Sequence, residues 1–224
     1  HGAWGPEFLL TGHKWFFSAP MCDGHLVLAR MGERGVTCFF VPRWRPDGSK
    51  NAIHIQRLKD KVGNRSNSSS EVEFKDAWGV LIGDEGRGIS TIIEMATFTR
   101  LDCALSSAGF IRQAFAQALH YSRNRHAFGK ALADQPLMTE LLADMALESE
   151  AATLLAMDLA THFGSTTALD IAWRRVMTPV AKFWNCKRAV GLTGEAMEVF
   201  GGNGYVETGP MGRLFREAPV NSIW

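Results

Sequence analysis

The sequence has 224 residues, 46% of them hydrophobic, which is enough to bury a full core in one large domain or two small ones. Its 24 basic side chains against 23 acidic ones leave a net charge of +1, which excludes a global electrostatic field that would attract nucleic acid or an anionic membrane. No apolar run reaches the roughly 18 residues that a membrane span requires, and four scattered cysteines have no metal-ligand spacing. We therefore expect a cytoplasmic protein with buried, reduced thiols. Because the sequence starts at His1 rather than methionine and stops at Trp224 directly after a well-patterned segment, we also expect N- and C-terminal parts of the protein to lie outside this sequence.

Residues 8–82 consist of short apolar runs separated by turn sequences. The runs are rich in Val, Phe, Leu and Ile, which is typical of strands, and the turns contain DG, GERG and RPDGSKN. The connections are too short for crossover helices, so the strands are predicted to pair antiparallel. We expect residues 1–82 to form an antiparallel β domain shaped as a partial barrel, with strands at FLLTG, HLVLARM, VTCFFVPRW, AIHIQRL and SEVEFKDAWGVLIG.

The stretch GHKWFFSAP, residues 12–20, is aromatic on both faces of a predicted strand. Side chains alternate along a strand, which assigns Trp15 and Phe17 to one face and Phe16 and Ser18 to the other. A strand buried on both sides explains this pattern most simply. The alternative is a platform for a flat heteroaromatic ligand, stacked by Phe16 and hydrogen-bonded by Ser18.

After GDEGRG, residues 83–88, the apolar residues recur at helical spacing. Helices are predicted over 89–123, 136–163 and 165–200, with a short fourth helix at 211–216. The third helix has Ser165 or Thr166 as its N-cap, followed by acidic Asp170, and Pro179 predicts a kink within it. We expect residues 83–224 to form a bundle of long antiparallel helices, which makes the fold class α+β.

Sequence motifs exclude several common chemistries and leave two stretches to explain. The seven histidines have no metal-ligand pairing, so no metal site is predicted. Neither a G-x-S-x-G elbow nor a P-loop occurs, which removes the commonest hydrolase and NTP-binding signals. RNRHAFGKALADQ, residues 123–135, places Phe128 at an exposed corner between two helices, which a solvated turn does not explain. MEVFGGNGYVETGP, residues 197–210, has glycines directly after a helix, which fit either a helix stop or a backbone that closely approaches a ligand.

Taken in order, these stretches resemble the acyl-CoA dehydrogenase family, flavoenzymes that introduce a double bond between the α and β carbons of a thioester. The resemblance covers essentially the whole chain, through LTGHKWFFSAP with HLVLAR, LKDKVGNRSNSSSEVEFKDAWGVLIGDEGRG, TRLDCALSSAG, RHAFGKALADQPLM and AMEVFGGNGYVETGPMGRLFREA. Within the family, GHKWFFS, KDKVGNRSN, MTPVAKF and REAPVNSIW are most similar to the alkylation-response (AidB-type) branch. That branch carries a C-terminal helical region implicated in binding double-stranded DNA, and no such region lies in these residues.

The resemblance implies that the aromatic stretch binds FAD. Phe16 and Ser18 take positions against the isoalloxazine and near its hydride-accepting nitrogen. Phe17 would contribute backbone, and Trp15 would face the core.

The resemblance also implies cofactor contacts from the helical half. Arg125 and Phe128 match positions that reach the flavin of a neighbouring subunit, where an arginine can bind pyrophosphate through two hydrogen bonds. The remaining cofactor positions are Gln135, Gly201, Gly202, Ile223 and Trp224.

The reaction of the family removes an α proton with a base and passes a β hydride to the flavin. In most members the base is a glutamate directly after the position of Trp224, so we expect it just beyond that residue, with no catalytic residue in the sequence itself. A minority of members place the glutamate at the position of Thr99, but threonine cannot act as the base. Arg100 matches an arginine at the base of the acyl pocket, with Asp102 or another nearby acid as its partner, and a structural ion pair is an equally good interpretation. Thr99 and Arg100 are the substrate-binding candidates.

Two functions stay open at this point. The first is an FAD-dependent acyl-CoA dehydrogenase that acts on a short or branched acyl thioester. The second is a DNA-associated flavoprotein of the alkylation-damage response, with weak or vestigial dehydrogenase activity. The expected partners are acyl-CoA, further copies of the chain in a homotetramer, an electron-transferring flavoprotein or oxygen as electron acceptor, and double-stranded DNA through a region outside this sequence. No membrane partner is expected.

Overall fold

The computed structural model describes residues 4–224, which divide into two compact units. One, here called the strand unit, comprises the chain up to Lys61 together with Arg65–Ala96. The other, the helical unit, comprises Val62–Asn64 and Thr97–Trp224. The predicted boundary at residue 82 coincides with the end of the last long strand, and as a domain boundary it stays a prediction.

The strand unit contains one antiparallel sheet of five strands. Its sheet order is β1-β5-β3-β2, and β4 also pairs with β5. Because a strand has two edges, β3 and β4 share one edge of β5: β3 pairs with residues 80–82 and β4 with residues 70–74. The strands are β1 (Glu7–Phe17), β2 (Gly24–Arg30), β3 (Val36–Pro42), β4 (Ile53–Leu58) and β5 (Ser70–Ile82).

Alternate side chains of the sheet form its core, as the period of two requires. Asn51 is buried just before β4 and connects β3 with β5. Its Nδ2 donates to the carbonyls of Pro42 and Trp78, each at 2.7 Å. Its Oδ1 accepts from the backbone N–H groups of Ala52 and Trp78 at 2.9 and 2.8 Å. All hydrogen-bonding groups of this side chain are therefore used structurally. The buried core residues are Leu10, Val27, Phe39, Val41, Val72, Phe74 and Ala77.

The helical unit is built from four helices, as expected. They are α1 (Gly88–Asn124, whose first turns belong to the strand unit), α2 (Pro136–Thr161), α3 (Ala168–Val199) and α4 (Pro210–Ile223). A two-stranded hairpin, β6 (His126–Ala127) with β7 (Lys130–Ala131), lies between α1 and α2, and a 3-10 turn, Gly201–Tyr205, follows α3. The fourth helix is longer than predicted, because Pro219 lies inside it without ending it.

All four helices contribute to one apolar core. Small residues are frequent in it, which lets the helix backbones approach closely. Its buried members are Ala108, Ile111, Ala114, Phe115, Ala118, Leu142, Met145, Ala152, Ala156, Ala189, Leu192, Ala196, Val199, Met211 and Ala218.

Two local predictions were wrong. The N-cap of α3 is Thr167, not Ser165 or Thr166, because the backbone N–H of Asp170 donates to Thr167 Oγ1 at 3.2 Å, the spacing of a capping box. Ser165 instead donates to the Asp170 carboxylate. Of the four cysteines expected to be buried, Cys22 is exposed.

Candidate functional site

A β-bulge in β1 shapes the aromatic stretch. Lys14 pairs with Val72 and Phe17 with Ser70, so three steps along β1 match two along β5, and Trp15 and Phe16 both lie opposite the single residue between. A bulge of this kind interrupts the strict alternation of side chains. Trp15 and Phe16 are 57% and 61% exposed, and we call this pair of rings the aromatic platform. The prediction that Trp15 faces the core was therefore wrong.

Phe17, which alternation assigned to the same face as Trp15, does take an inward position. Its ring is half-buried and packs edge-on against Phe74, with centroids 5.9 Å apart, and against His25 at 4.7 Å. The carbonyl of Phe17 accepts a hydrogen bond from Ser70 Oγ at 3.3 Å. Ser18 follows the end of β1 and is exposed, so its hydroxyl is accessible next to the aromatic platform.

A lysine ammonium lies on the aromatic platform. Lys59 Nζ is 2.9 Å from the centroid of Trp15 and 5.0 Å from that of Phe16, within cation–π range. The same nitrogen donates to Glu71 Oε1 at 2.6 Å, and Arg57 Nε donates to that oxygen at 2.8 Å. The hydrogen bond from Lys59 lowers the pKa of the Glu71 carboxyl below its ordinary value. Glu71 thus balances the positive charge that holds the Trp15 ring in place.

The turn between α1 and α2 presents Phe128 to solvent. Phe128 is 93% exposed, and its φ of +55° places it in the left-handed region, where a bulky side chain is uncommon. Gln135 Nε2 donates to the carbonyl of Ala127 at 3.0 Å and so braces this turn. The side chain of Arg125 is exposed in the same turn, while its backbone N–H donates to Tyr121 at 2.8 Å.

The glycines after α3 leave open space around their backbone. A methyl group added at Gly201 or Gly202 would meet no atom of the chain within 4 Å. Gly204 differs, because a methyl group there would lie 2.0 Å from the carbonyl oxygen of Met197. Gly204 is thus required by packing within the helical unit. Packing does not require glycine at Gly201 or Gly202, but the φ of +57° at Gly201 favours glycine there as a helix stop. The exposed backbone of Gly202 can be approached by a ligand.

The structure brings the glycine turn and the Phe128 turn to the same end of the helical unit. Tyr121, in the last turn of α1, stacks on Phe200 at the end of α3 with centroids 4.4 Å apart and planes 21° apart. Asn203 Nδ2 also donates to the Tyr121 hydroxyl at 3.4 Å. This aromatic contact therefore connects the end of α1, which precedes Arg125 and Phe128, with the end of α3, which precedes Gly201 and Gly202.

Arg100 lines a cavity of about 310 Å³ between α1, α3 and α4, here called the cationic cavity. No carboxylate lines it, and Arg100 forms no ion pair with Asp102 or any other acid within residues 4–224. The interpretation of Arg100 as half of a structural ion pair is therefore wrong for this part of the chain. The lining residues are Arg100, Pro179, Lys182, Phe183, Cys186, Lys187 and Ser222.

The chain end predicted to border the flavin is close to the cationic cavity. The side chains of Ile223 and Trp224 are exposed, and Lys182 Nζ donates to the Trp224 carbonyl. Thr99 precedes Arg100 in the same turn of α1 and is half-buried. The two predicted substrate residues are thus neighbours, and one of them opens onto a cavity.

The buried thiols beside the cationic cavity are not nucleophiles. Burial raises the pKa of Cys103 to about 11 and also raises that of Cys186. Cys186 Sγ accepts from Ser107 Oγ at 3.3 Å. A thiol that stays protonated at neutral pH is a poor nucleophile and a poor metal ligand.

Residues 4–224 contain no group of three His, Cys, Asp or Glu side chains arranged to hold a metal ion. Among these residues, no helix combines the length and apolar character needed to cross a bilayer.

Two domain models of one protein family together match almost the whole chain. The acyl-CoA dehydrogenase middle domain matches residues 3–77, and the acyl-CoA dehydrogenase C-terminal domain matches residues 86–224. The chain belongs to the acyl-CoA dehydrogenase family. The resemblance inferred from motifs is thereby confirmed, and so is FAD, at the level of the family, as the cofactor of these oxidoreductases.

Known relatives support the resemblance to the AidB-type branch and the predicted fold. The putative acyl-CoA dehydrogenase AidB of Escherichia coli is 52% identical over 97% of this chain, and acyl-CoA dehydrogenase family member 11 of Caenorhabditis elegans is 34% identical over 97%. The chain spans 40% and 37% of their lengths. The crystal structure of Caenorhabditis elegans ACDH-11 with C11-CoA superposes with a TM-score of 0.89 at 34% identity, over 97% of this chain and 39% of that one. The predicted fold class is confirmed.

Sequence reasoning missed three residues of these sites. Lys59 has no local signal, because its contact with Trp15 crosses the sheet. Lys182 and Lys187 are two of several basic residues along α3, and nothing in their spacing distinguishes the ones that line a cavity.

Proposed function

We propose that the protein containing this chain is an FAD-dependent acyl-CoA dehydrogenase that desaturates a short or branched acyl-CoA between its α and β carbons. The observation that carries the proposal, beyond family membership, is the exposed aromatic platform with Ser18 beside it. Two large rings exposed together on a strand are costly in water and are typical of a ligand surface. The proposal also places the protein in the cytoplasm.

The exposed groups of this chain fit FAD. Phe16 offers a ring face for stacking, and the Ser18 hydroxyl can donate or accept beside it. Arg125 offers a guanidinium suited to a pyrophosphate, and the bare backbone of Gly202 leaves room for one. The bound flavin would supply the acceptor for a hydride, and these residues would hold and orient it.

The rest of the cofactor set is assigned by position. Phe128 is exposed in this chain, so we propose that its ring contacts the flavin of another copy in a homotetramer. Phe17 contributes backbone. Gln135, Gly201, Ile223 and Trp224 complete the cofactor set.

The substrate site is proposed at Thr99 and Arg100. Arg100 lies at the cationic cavity and has no carboxylate partner within residues 4–224, so its guanidinium is available to a substrate. The base that removes the α proton is proposed to be the residue after Trp224, next to the carbonyl that Lys182 binds. An electron-transferring flavoprotein or oxygen would reoxidise the flavin.

Anaerobic flavin reduction tests the activity. The purified full-length protein, titrated with butyryl-CoA and isovaleryl-CoA, is expected to lose its absorbance near 450 nm with at least one thioester. No bleaching with either thioester would contradict the proposed reaction.

A pair of serine variants tests the cofactor site. Ser18→Ala is expected to lower flavin content or shift the flavin spectrum, because the hydroxyl beside the ring is removed. Ser66→Ala is the matched control: Ser66 is an exposed serine of the strand unit outside the platform. Equal flavin content and identical spectra in both variants would show that the platform is misassigned.

A second function is kept because of the 52% identity to AidB, in the branch that the sequence resembles. In this alternative the protein associates with double-stranded DNA through a region outside the chain and has weak dehydrogenase activity. Duplex binding by the full-length protein, measured from 50 to 200 mM salt, would separate the two. A slope near zero in log affinity against log salt would remove the DNA function.

A further inference from the structure

We infer that Lys59 and Arg57 raise the reduction potential of the flavin bound at the aromatic platform, and that Glu71 lowers it. The inference rests on the proposed function, because that function places FAD at Phe16 and Ser18. It goes beyond binding of the cofactor, since it makes three side chains of the strand unit responsible for how readily the flavin accepts a hydride.

The backbone around Glu71 is the first reason. Trp15 and Phe16 of β1 both lie opposite this residue, and on its other side β4 inserts one extra residue, Gln56, directly before Arg57. Bulges redirect side chains and are frequent beside active sites. The sheet is therefore irregular on both sides of Glu71, next to the two exposed rings.

The position of the Lys59 ammonium is the second reason. Its Nζ lies 2.9 Å from the centroid of Trp15 and 5.0 Å from that of Phe16. The side chain of Lys59 is only 10% exposed, so water and salt screen its charge weakly. A cation at this distance from Phe16 lies close to any ring that stacks on Phe16.

The net charge of the group is the third reason. Arg57 Nε and Lys59 Nζ both donate to Glu71 Oε1, at 2.8 and 2.6 Å, and we call these three side chains the charged triad. The hydrogen bond from Lys59 lowers the pKa of the Glu71 carboxyl, which is therefore ionised at neutral pH. One carboxylate neutralises only one of the two cations. The charged triad thus presents one net positive charge beside the aromatic platform.

Hydride transfer is sensitive to such a charge. A hydride brings two electrons and one proton, so the flavin ring gains one negative charge as the β C–H bond of the substrate breaks, while the α proton passes to the base. A fixed positive charge nearby stabilises the negative charge that develops. The reduced flavin is therefore favoured over the oxidised flavin, which raises the reduction potential.

Two substitutions of opposite charge test the inference. The full-length protein, supplied with saturating FAD, is titrated spectroelectrochemically at neutral pH. Lys59→Met is expected to lower the midpoint potential of the flavin, because a positive charge is removed, and Glu71→Gln is expected to raise it. Each should change the ratio of the Kd values for oxidised and reduced flavin about tenfold, which corresponds to about 30 mV for two electrons.

Further variants separate charge from structure. If the charged triad only shaped the platform, Lys59→Met and Glu71→Gln would both disturb it and shift the potential in the same direction. Lys59→Arg keeps the charge and should keep the wild-type potential. Arg57→Gln changes an exposed side chain and should lower the potential less than Lys59→Met does, because water screens the Arg57 charge.

Lys75→Met is the matched control. It removes a lysine of β5 that pairs with Glu73, outside the charged triad, and its side chain is exposed. The midpoint potential should therefore equal that of the wild type. A shift as large as that of Lys59→Met would overturn the inference, because it would show an effect of overall charge.

The outcomes separate this inference from the proposed function. If a thioester bleaches the flavin, but Lys59→Met and Glu71→Gln leave the potential unchanged or shift it in one direction, the inference is overturned and the dehydrogenase stands. If no thioester bleaches the flavin, but the two variants shift the potential in opposite directions, the inference stands and the proposed reaction fails. If the full-length protein binds no FAD, both fail.

Discussion

Gly202→Ala is expected to separate flavin binding from folding. The added methyl group would meet no atom of the chain within 4 Å, and the backbone there is not in the left-handed region. Folding should therefore be unaffected, or stabilised by about 0.4–1 kcal/mol because alanine restricts the unfolded chain. Flavin binding should weaken, because the methyl group would occupy space that we assign to the pyrophosphate.

The size of the expected loss in flavin affinity follows from overpacking. Forcing a methyl group into a close contact costs about 1–3 kcal/mol, which corresponds to roughly 5- to 150-fold in Kd for the flavin. The assay is flavin titration of the apoprotein followed by fluorescence, with thermal unfolding of the same apoprotein. The expected pattern is a raised Kd with an unchanged or slightly higher Tm.

Gly204→Ala is the control for the opposite behaviour. Its methyl group would lie 2.0 Å from the Met197 carbonyl oxygen, so the turn must shift and the apoprotein should melt at a lower temperature. Wild-type flavin affinity in Gly202→Ala would refute the assignment of this backbone to the cofactor. A lowered Tm in Gly202→Ala would refute the packing analysis.

Three further predictions concern stability and the aromatic platform. The hydrogen bond from Ser165 lowers the pKa of Asp170, so the ionised carboxylate stabilises the fold at pH values above 3.8, its ordinary pKa, and this stabilisation is lost as the pH falls further. The difference in Tm between wild type and Asp170→Asn should therefore narrow from pH 7 to pH 3. A constant difference would contradict this. Asn51→Ala should cost about 2–5 kcal/mol in urea unfolding, because buried backbone groups lose their partners. Lys59→Met should lower flavin content, since the ammonium no longer holds the Trp15 ring, and Lys59→Arg should restore it; equal flavin content in both variants would argue against this role.

Much of the fold could be predicted because its signals are local. The change from alternating apolar runs to helical spacing after residue 82 marks the real change from strand to helix. The α2 start was predicted at residue 136, where Pro136 occupies the first turn. Phe128 was recognised as anomalous at an exposed corner, and it is 93% exposed.

The aromatic platform could not be predicted in its actual form. Strict alternation paired Trp15 with Phe17 on one face and Phe16 with Ser18 on the other, but the bulge opposite residue 71 leaves Trp15 and Phe16 both exposed, and only Phe17 of the three rings packs inward. A bulge depends on how many residues two strands place opposite each other. Here the two strands lie more than fifty positions apart in sequence, so no local pattern reports it.

Sequence alone determined the order of elements, the family and the residues that resemble its cofactor motifs, because periodicity and short motifs depend only on residues close together in sequence. Tertiary structure alone decided which charges meet. Arg100 on α1 and Lys182 and Lys187 on α3 are some eighty residues apart, yet they line one cavity. Electrostatic interactions depend on distance in space, and only packing of the helices brings these three cations to one cavity.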